Sequence, residues 1–185
     1  MKYEPIIKDS YYHIYNCGNN KEDIFIEERN YAYFLSLLKK HILPVAELLS
    51  YCLLKNHFHL LVKTKSNVED KFISQAFSNC FNAYTKAINK AYGRTGSLFQ
   101  DRFSRIKITD EEYLKSLIIY INNNAVHHGF TQDVSSYKYS SYQALVSDKP
   151  TLLSRTFIIN LFENTENFSM VLHSKKNTIE ELTLE

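Results

Sequence analysis

Glycine, proline and cysteine are scarce in this sequence of 185 residues, which contains four, three and three of them. The small number of glycines and prolines excludes low-complexity linkers. The cysteines Cys17, Cys52 and Cys80 are far apart and odd in number, so they fit neither a disulfide framework nor a zinc knuckle. We interpret them as small apolar side chains in a reducing compartment.

Long hydrophobic runs are also missing, and the N-terminal sequence "MKYEPIIKDS" has no signal-peptide core. We therefore expect a cytoplasmic protein without a membrane partner. Hydrophobic residues make up 44% of the chain, which includes 14 tyrosines and 12 phenylalanines. This composition argues against disorder and favours one domain with an additional C-terminal segment.

The net charge of +2 is small, but its distribution is uneven. A basic middle section has a single acid, Asp101, among six cations: Lys86, Lys90, Arg94, Arg102, Arg105 and Lys107. The C-terminal tail is acidic. The basic section could follow a phosphate backbone or could be an ordinary solvated face, and the composition alone does not decide between them.

Hydrophobic spacing predicts a sequence of strands and helices in the order β-α-β-β-α-β-α. We expect strands at 11–17, 45–54, 57–64 and 102–109, and helices at 27–42, from Asn67 to Gly93, from a Thr109–Glu112 capping box to about Asn123, near 140–146 and at 151–163. This order is that of a ferredoxin-like split β-α-β fold of the α+β class, with an antiparallel sheet and helices on one face. A C-terminal helical segment is additional to it.

The segment "LLKNHFHLLVKT" (53–64) contains two histidines in an apolar run. Side chains alternate along a strand, so His57 and His59 project from one face, and Phe58 projects from the other. Two imidazoles placed in this way could bind a metal ion together. They could equally be packing residues, because a chain with seven histidines often contains a His-x-His by chance.

The segment "EEYLKSLIIYINNNAVHHGF" (111–130) places Tyr120 and Asn124 one helical turn apart on the same face. An amide oxygen there could complete a metal site with the two imidazoles, although Asn123 shares that face as an alternative ligand. Such a site leaves positions open and suits Mg²⁺ or Mn²⁺ better than structural zinc. The opposing interpretation is that Tyr120 belongs to the core.

At these residues the sequence resembles the single-tyrosine HUH transposases, and most closely the REP-associated tyrosine transposases. The shared segments are "YYHIYNCGNNKEDIF", "YCLLKNHFHLLVKT", "GRTGSLFQDRF", "YINNNAVHHGF" and "YSSYQAL", which together span about residues 11 to 146. All four glycines lie in these segments, where we expect turns that need positive φ angles. The resemblance implies a catalytic domain at 1–148 and a C-terminal helical extension at 149–185.

The resemblance also implies a set of residue roles. His57, His59 and Asn124 would bind a divalent metal, Mg²⁺ or Mn²⁺, and Tyr120 would form a covalent 5′-phosphotyrosine link. The protein would be a DNA transposase or nickase acting on single-stranded or hairpin DNA, as a monomer or a homodimer, associated with the nucleoid when bound. Three departures are Cys17, where arginine is frequent, Lys55, where proline is usual, and Ala125, where proline is common.

Several alternatives remain open at the level of sequence. Arg94, Arg102, Arg105 and Lys107 could bind DNA phosphates or face solvent, and the "GRTGSLFQDRF" loop could be structural, with its apolar residues buried. His127 and His128 are expected to lie at the surface or behind the metal ligands. The functional alternatives are a nuclease that uses metal-activated water and a nucleic-acid-binding module without catalytic activity.

Overall fold

A computed structural model describes residues 5–174 of the chain. The strands are β1 (Tyr11–Cys17), β2 (Ala46–Leu54), β3 (His57–Thr64) and β4 (Ser104–Ile108), and the helices are α1 (Glu28–Leu37), α2 (Asp70–Ala91), α3 (Glu111–His127), α4 (Tyr142–Val146), α5 (Arg155–Leu161) and α6 (Thr165–Ser174). None of these helices has the length and apolar character needed to cross a lipid bilayer. The acidic residues Glu180, Glu181 and Glu185 lie outside the described residues.

Within residues 5–174 the strands form one antiparallel sheet in the order β2-β3-β1-β4. This order and the element sequence confirm the ferredoxin-like α+β fold. The β2–β3 hairpin turns at Lys55 and Asn56, as predicted. Strand β1 pairs with β3 in a register that places Tyr15 opposite His59. The two central strands therefore determine which side chains meet on each face.

One face of the sheet packs against α1 and α2 through aromatic side chains. The Phe58 ring of β3 lies 5.1 Å from the Phe34 ring of α1 and 5.1 Å from the Phe81 ring of α2. Phe34 also packs edge-on against Tyr84, at 5.0 Å. These rings are buried at the centre of the core. Burial of large aromatic side chains is a strong source of stability.

Helix α3 lies against the opposite face, which corrects the prediction of helices on one face only. Its Tyr120 and Asn124 side chains contact the histidines of β3, whose side chains alternate with Phe58. The helix also continues to His127, beyond the predicted end near Asn123. Local sequence does not report which face a helix covers, since both faces of this sheet carry apolar residues.

Several helix boundaries differ from the predicted ones. Asp110, and not Thr109, caps α3, because its carboxylate accepts a 2.7 Å hydrogen bond from the Tyr113 backbone N–H. Helix α2 begins after Glu69 and not after Asn67. The helix predicted at 27–42 is α1 followed by a π-helical turn. The helix predicted at 151–163 is the shorter α5, and α6 follows it without having been predicted.

Strand β2 lies at one edge of the sheet, and the segment that contains the "YSSYQAL" motif pairs with its outer side. The Leu53 backbone N–H donates to the Tyr139 carbonyl at 2.9 Å, and the Ser141 N–H donates to the Tyr51 carbonyl at 2.8 Å. The Tyr139 ring stacks at 3.6 Å on Tyr31 of α1. The segment therefore closes an edge that would otherwise expose unpaired backbone groups.

The glycines fulfil the predicted role at three of four positions. Gly93, Gly96 and Gly129 have positive φ angles of 61°, 81° and 73°. Gly18 has a φ of −63°, so the expectation is wrong there. Glycine is needed at this position because there is no room for a side chain: a Cβ atom at Gly18 would lie 2.0 Å from the Glu22 carbonyl oxygen.

Replacing Phe34 by alanine is expected to destabilise the fold by about 3–5 kcal/mol, since it opens a cavity between the sheet and both helices. The measurement is the free energy of unfolding from urea denaturation followed by circular dichroism. The matched control is Phe72→Ala, at a side chain that is 53% exposed, which should cost less than about 1 kcal/mol. Equal losses of unfolding free energy for the two variants would contradict the position of Phe34 at the centre of the core.

Candidate metal site and tyrosine on the sheet

His57 and His59 project from the same face of β3, as strand alternation requires. Their ring centroids lie 5.3 Å apart, with an interplanar angle of 89°. His59 is buried and His57 is half-buried. The face that carries them is covered by α3, so the imidazoles lie between the sheet and the helix.

Asn124 of α3 contacts His57 directly. Its Oδ1 lies 3.2 Å from His57 Nε2, and His57 Nδ1 lies 2.9 Å from the Asn56 side-chain oxygen. A neutral imidazole carries one N–H, so it can donate to only one of these two oxygens. If the proton is on Nδ1, the Nε2 lone pair and the Asn124 oxygen face each other, which is an arrangement that a cation would stabilise.

The three consecutive asparagines of α3 point in different directions and have different partners. Asn122 donates to Ser50 Oγ at 3.0 Å and accepts from Ser141 Oγ at 2.7 Å. Asn123 donates to the Leu172 carbonyl of α6 at 3.0 Å. Asn124 therefore faces the histidines, and the alternative ligand Asn123 is directed towards α6.

Tyr120 lies one helical turn before Asn124, next to the same histidines. Its ring is 5.5 Å from the His59 ring and nearly perpendicular to it, at 87°. It is 3% exposed. The structure thus brings the predicted tyrosine to the predicted histidines, in a position that is covered by surrounding side chains.

Sequence reasoning missed His13 and did not specify the position of His128. His13 of β1 lies 2.9 Å from His59 through Nε2 and Nδ1, while the His128 ring lies 4.7 Å from the His57 ring. His127 is exposed. The alternation of β1 could have shown that His13 and Tyr15 share a face, but the register against β3 is a tertiary feature.

Burial keeps two of these imidazoles neutral. Loss of hydration lowers the pKa of His13 to about 3. The pKa of His59 is lowered well below its usual value, first by burial and then by the neighbouring histidines. A neutral imidazole has a lone pair on one nitrogen, which is the form that binds metals.

The donor set fits a hard divalent cation if an amide oxygen takes part. Among residues 5–174 no cluster of three His, Cys, Asp or Glu side chains has metal-binding geometry. A site here therefore depends on Asn124 in addition to His57 and His59. The His59 Nε2 atom is buried without a hydrogen-bond partner. Such atoms are rare in folded proteins, and a bound cation would give this one a partner. Two imidazoles and one amide oxygen would leave positions open for a substrate.

The basic residues predicted to bind DNA lie in different environments. Arg94 forms a 2.6 Å ion pair with Glu22. Arg105 pairs with Ile14 and Lys107 with Tyr12 in the β1–β4 register, so both side chains start from the face opposite the histidines.

Arg105 is half-buried, with its guanidinium 4.8 Å from the Phe103 ring centre. Arg102 and Lys107 are exposed. The structure therefore does not gather the four cations beside the imidazoles. Of the four, Arg102 and Lys107 are the two with exposed side chains.

The "GRTGSLFQDRF" loop has a structural role. Leu98 and Phe99 are buried, with exposures of 0% and 6%. The Asn19 N–H donates to the Leu98 carbonyl, and the Gln100 N–H donates to the Cys17 carbonyl, each at 2.9 Å. The loop therefore extends the sheet at the end of β1, close to His57, which pairs with Cys17.

The chain matches the family "Transposase IS200 like" over residues 6–124. This match spans more than half of the sequence. The chain therefore belongs to the IS200-like transposase family.

Individual relatives agree with this assignment. The chain is 28% identical over 105 residues to a Haemophilus influenzae protein named as a REP-associated tyrosine transposase. The match covers 52% of this chain and 58% of that relative, so the chain spans less than two thirds of its length. The chain also resembles the solved structure of a REP-associated tyrosine transposase bound to a REP hairpin. That similarity has a TM-score of 0.63 and 19% identity, over 81% of this chain and 88% of the other. It supports the fold.

The partners of the three asparagines lead to a prediction about stability without metal. Asn122→Ala leaves buried hydroxyl groups of Ser50 and Ser141 without their amide partner, so it should lower the free energy of unfolding by about 1–3 kcal/mol. Asn124→Ala should cost less, because the Asn124 amide nitrogen already lacks a partner. Urea denaturation of both variants in a chelating buffer measures the difference. A larger loss of unfolding free energy for Asn124→Ala than for Asn122→Ala would contradict the assignment of the structural role to Asn122.

Proposed function

We propose that the protein is a metal-dependent DNA nickase and strand transferase that cleaves and rejoins single-stranded or hairpin DNA. The observation that carries this proposal is the approach of Tyr120, His59, His57 and Asn124 between one sheet face and one helix. The supporting distances are 5.5 Å between the Tyr120 and His59 rings and 3.2 Å between His57 Nε2 and Asn124 Oδ1. Membership in the IS200-like family agrees with it.

Tyr120 is the proposed nucleophile. Its hydroxyl oxygen attacks the scissile phosphorus, the bond to the 3′ oxygen breaks, and the leaving oxygen takes up a proton as a 3′-hydroxyl. The product is a 5′-phosphotyrosine diester. A 3′-hydroxyl can attack this diester and release the phenol, so cleavage and rejoining exchange one phosphodiester for another without ATP. The ordinary tyrosine pKa of about 10 means that the phenol proton must be removed during attack.

His57, His59 and Asn124 are the proposed ligands of Mg²⁺ or Mn²⁺. The bound ion would supply Lewis-acid withdrawal of charge from the scissile phosphate. The two histidines are held by β3, and Asn124 is held by α3, so the ligand set depends on the packing of the helix on the sheet. His59 is buried and neutral, which keeps a lone pair available for coordination.

Access to Tyr120 is a requirement of this mechanism. Its side chain is 3% exposed, so a DNA strand reaches the hydroxyl only after neighbouring side chains or part of α3 move. Rearrangements of this kind are common among residues that act on a bound substrate. The proposal therefore includes a local movement that accompanies DNA binding.

A covalent-adduct assay tests the proposal. The substrate is a single-stranded oligonucleotide from the DNA that flanks the gene, with a label at the 3′ end so that the label stays with the protein. Wild-type protein should give a slow-migrating labelled adduct with Mg²⁺ and none with a chelator. Tyr120→Phe should abolish the adduct, because it removes the nucleophilic oxygen. Tyr113→Phe, on the same helix, is the control and should retain it.

The outcomes of this assay separate the candidate functions. Nicking by Tyr120→Phe at the wild-type rate would show that Tyr120 is not the nucleophile. Metal-dependent cleavage without any adduct would indicate a nuclease that uses activated water. Salt-dependent binding that is insensitive to both chelator and Tyr120→Phe would indicate a binding module.

We propose that the exposed side chains of Arg102 and Lys107 contact phosphates of the bound DNA strand. Arg102→Ala and Lys107→Ala should each weaken single-stranded DNA binding and reduce the salt dependence of log K by about 0.7 per lost phosphate contact. Arg94→Gln should bind nearly as wild type, because Arg94 is already paired with Glu22. Fluorescence anisotropy with a labelled oligonucleotide over a range of salt concentrations measures both effects. An equal loss of DNA affinity in all three variants would contradict the distinction between the two exposed cations and the paired Arg94.

A further inference from the structure

His13 forms the most direct contact to the candidate metal site from outside the predicted ligand set. It lies on β1, where it is paired with Leu61, so His59 is its diagonal neighbour on the same face of the sheet. Its Nε2 lies 2.9 Å from His59 Nδ1. The two rings are 5.1 Å apart, with only 18° between their planes. This near-coplanar arrangement is suitable for an N–H···N hydrogen bond in the plane of both rings.

Both rings are excluded from solvent, with exposures of 0% for His13 and 1% for His59. Two ring nitrogens 2.9 Å apart and shielded from water form a hydrogen bond in which one carries the proton and the other the lone pair, so one ring donates to the other. If His59 donates from Nδ1, its Nε2 keeps the lone pair. If His13 donates, His59 Nε2 carries the proton and cannot bind a cation.

The other candidate ligand has an equivalent contact. His57 Nδ1 lies 2.9 Å from the side-chain oxygen of Asn56, which can accept an Nδ1–H and so leave the lone pair on Nε2, on the side of Asn124. His57 and His59 thus share one arrangement, in which Nδ1 is occupied by a protein partner. For His59 the Nε2 atom is buried with no hydrogen-bond partner. Tyr15 is stacked on both rings of the His13–His59 pair, Tyr120 is edge-on to both, and His57 is edge-on to His59.

We infer that His13 is a positioning residue that accepts the Nδ1–H of His59 and fixes its ring with Nε2 towards the cation. The inference rests on the proposed function, because it assigns His13 a role in holding one of the proposed ligands. Protein partners behind metal-binding histidines commonly fix the tautomer and the ring orientation. Here the partner is a second imidazole from the neighbouring strand, whose position depends on the β1–β3 register.

The first test measures Mn²⁺ affinity of the full-length protein, with free Mn²⁺ detected by electron paramagnetic resonance. His13→Phe keeps a flat ring but removes the acceptor, so the Kd should rise by about 10- to 100-fold. His13→Gln offers an amide oxygen that can accept the Nδ1–H, so it should restore most of the affinity. The unfolding midpoints of both variants without metal control for general damage. A Kd for folded His13→Phe equal to that of the wild type would overturn the inference.

The second test requires no variant and no activity. Long-range ¹H–¹⁵N spectra of histidine-labelled wild-type protein in a chelating buffer, without metal, report which ring nitrogen of His59 carries the proton. A proton on Nδ1 supports the assigned role, and a proton on Nε2 overturns it, even if His13→Phe does not fold.

These outcomes distinguish the inference from the proposed function. If wild-type protein forms the Mg²⁺-dependent adduct while His13→Phe binds Mn²⁺ as tightly as wild type, only the role of His13 fails. If wild-type protein binds no Mn²⁺, the proposal of a metal site is wrong, and so is the role assigned to His13.

Discussion

The pairing of β3 between β1 and β2 is the constraint on which the site depends. The strand is buried on both faces, with Phe58 on one side and His57 and His59 on the other. Side chains alternate, so a slip of one residue in the register would exchange these two sets. The histidines would then face the aromatic core, and Phe58 would face α3. The aromatic contacts of Phe58 with α1 and α2 therefore stabilise the fold and also fix the direction of the imidazoles.

Helix α3 provides the second half of the site, and its attachment is divided among neighbouring residues. Asn122 binds the helix to β2 and to the segment around Ser141, and Asn123 binds it to α6. Asn124 and Tyr120 are left to face the histidines. The described part of the predicted C-terminal extension, up to residue 174, thus contacts the helix that carries the candidate nucleophile. The hydrogen bonds among Asn122, Ser50 and Ser141 form a buried polar network of the kind that holds an element in one orientation.

Much of this architecture could be predicted from local sequence. The two apolar runs around Lys55 and Asn56 gave the correct strands, and the apolar spacing of α2, with its period of 3.6 residues, gave the correct helix. The ends of helices were less accurate, as at Thr109, since neighbouring polar residues compete for the capping position.

Features that depend on distant residues could not be predicted. The ion pair between Arg94 and Glu22, the contact of His13 with His59 and the direction of Asn123 all require knowledge of the register and of helix packing. The sequence contains the residues for these contacts but no local signal for their partners. The same limitation applies to α3, whose periodic apolar face does not specify which side of the sheet it covers.

We propose that one divalent cation binds between His57, His59 and Asn124, and this ion is the basis of the proposed chemistry. Crystals of the protein grown with Mn²⁺ and measured at the manganese absorption edge test it most directly, because anomalous scattering locates the ion without reference to activity. We expect a peak within coordination distance of both Nε2 atoms and of the Asn124 side-chain oxygen. A fully occupied ion held by other residues, or an absence of any peak at this position in saturating Mn²⁺, would contradict it.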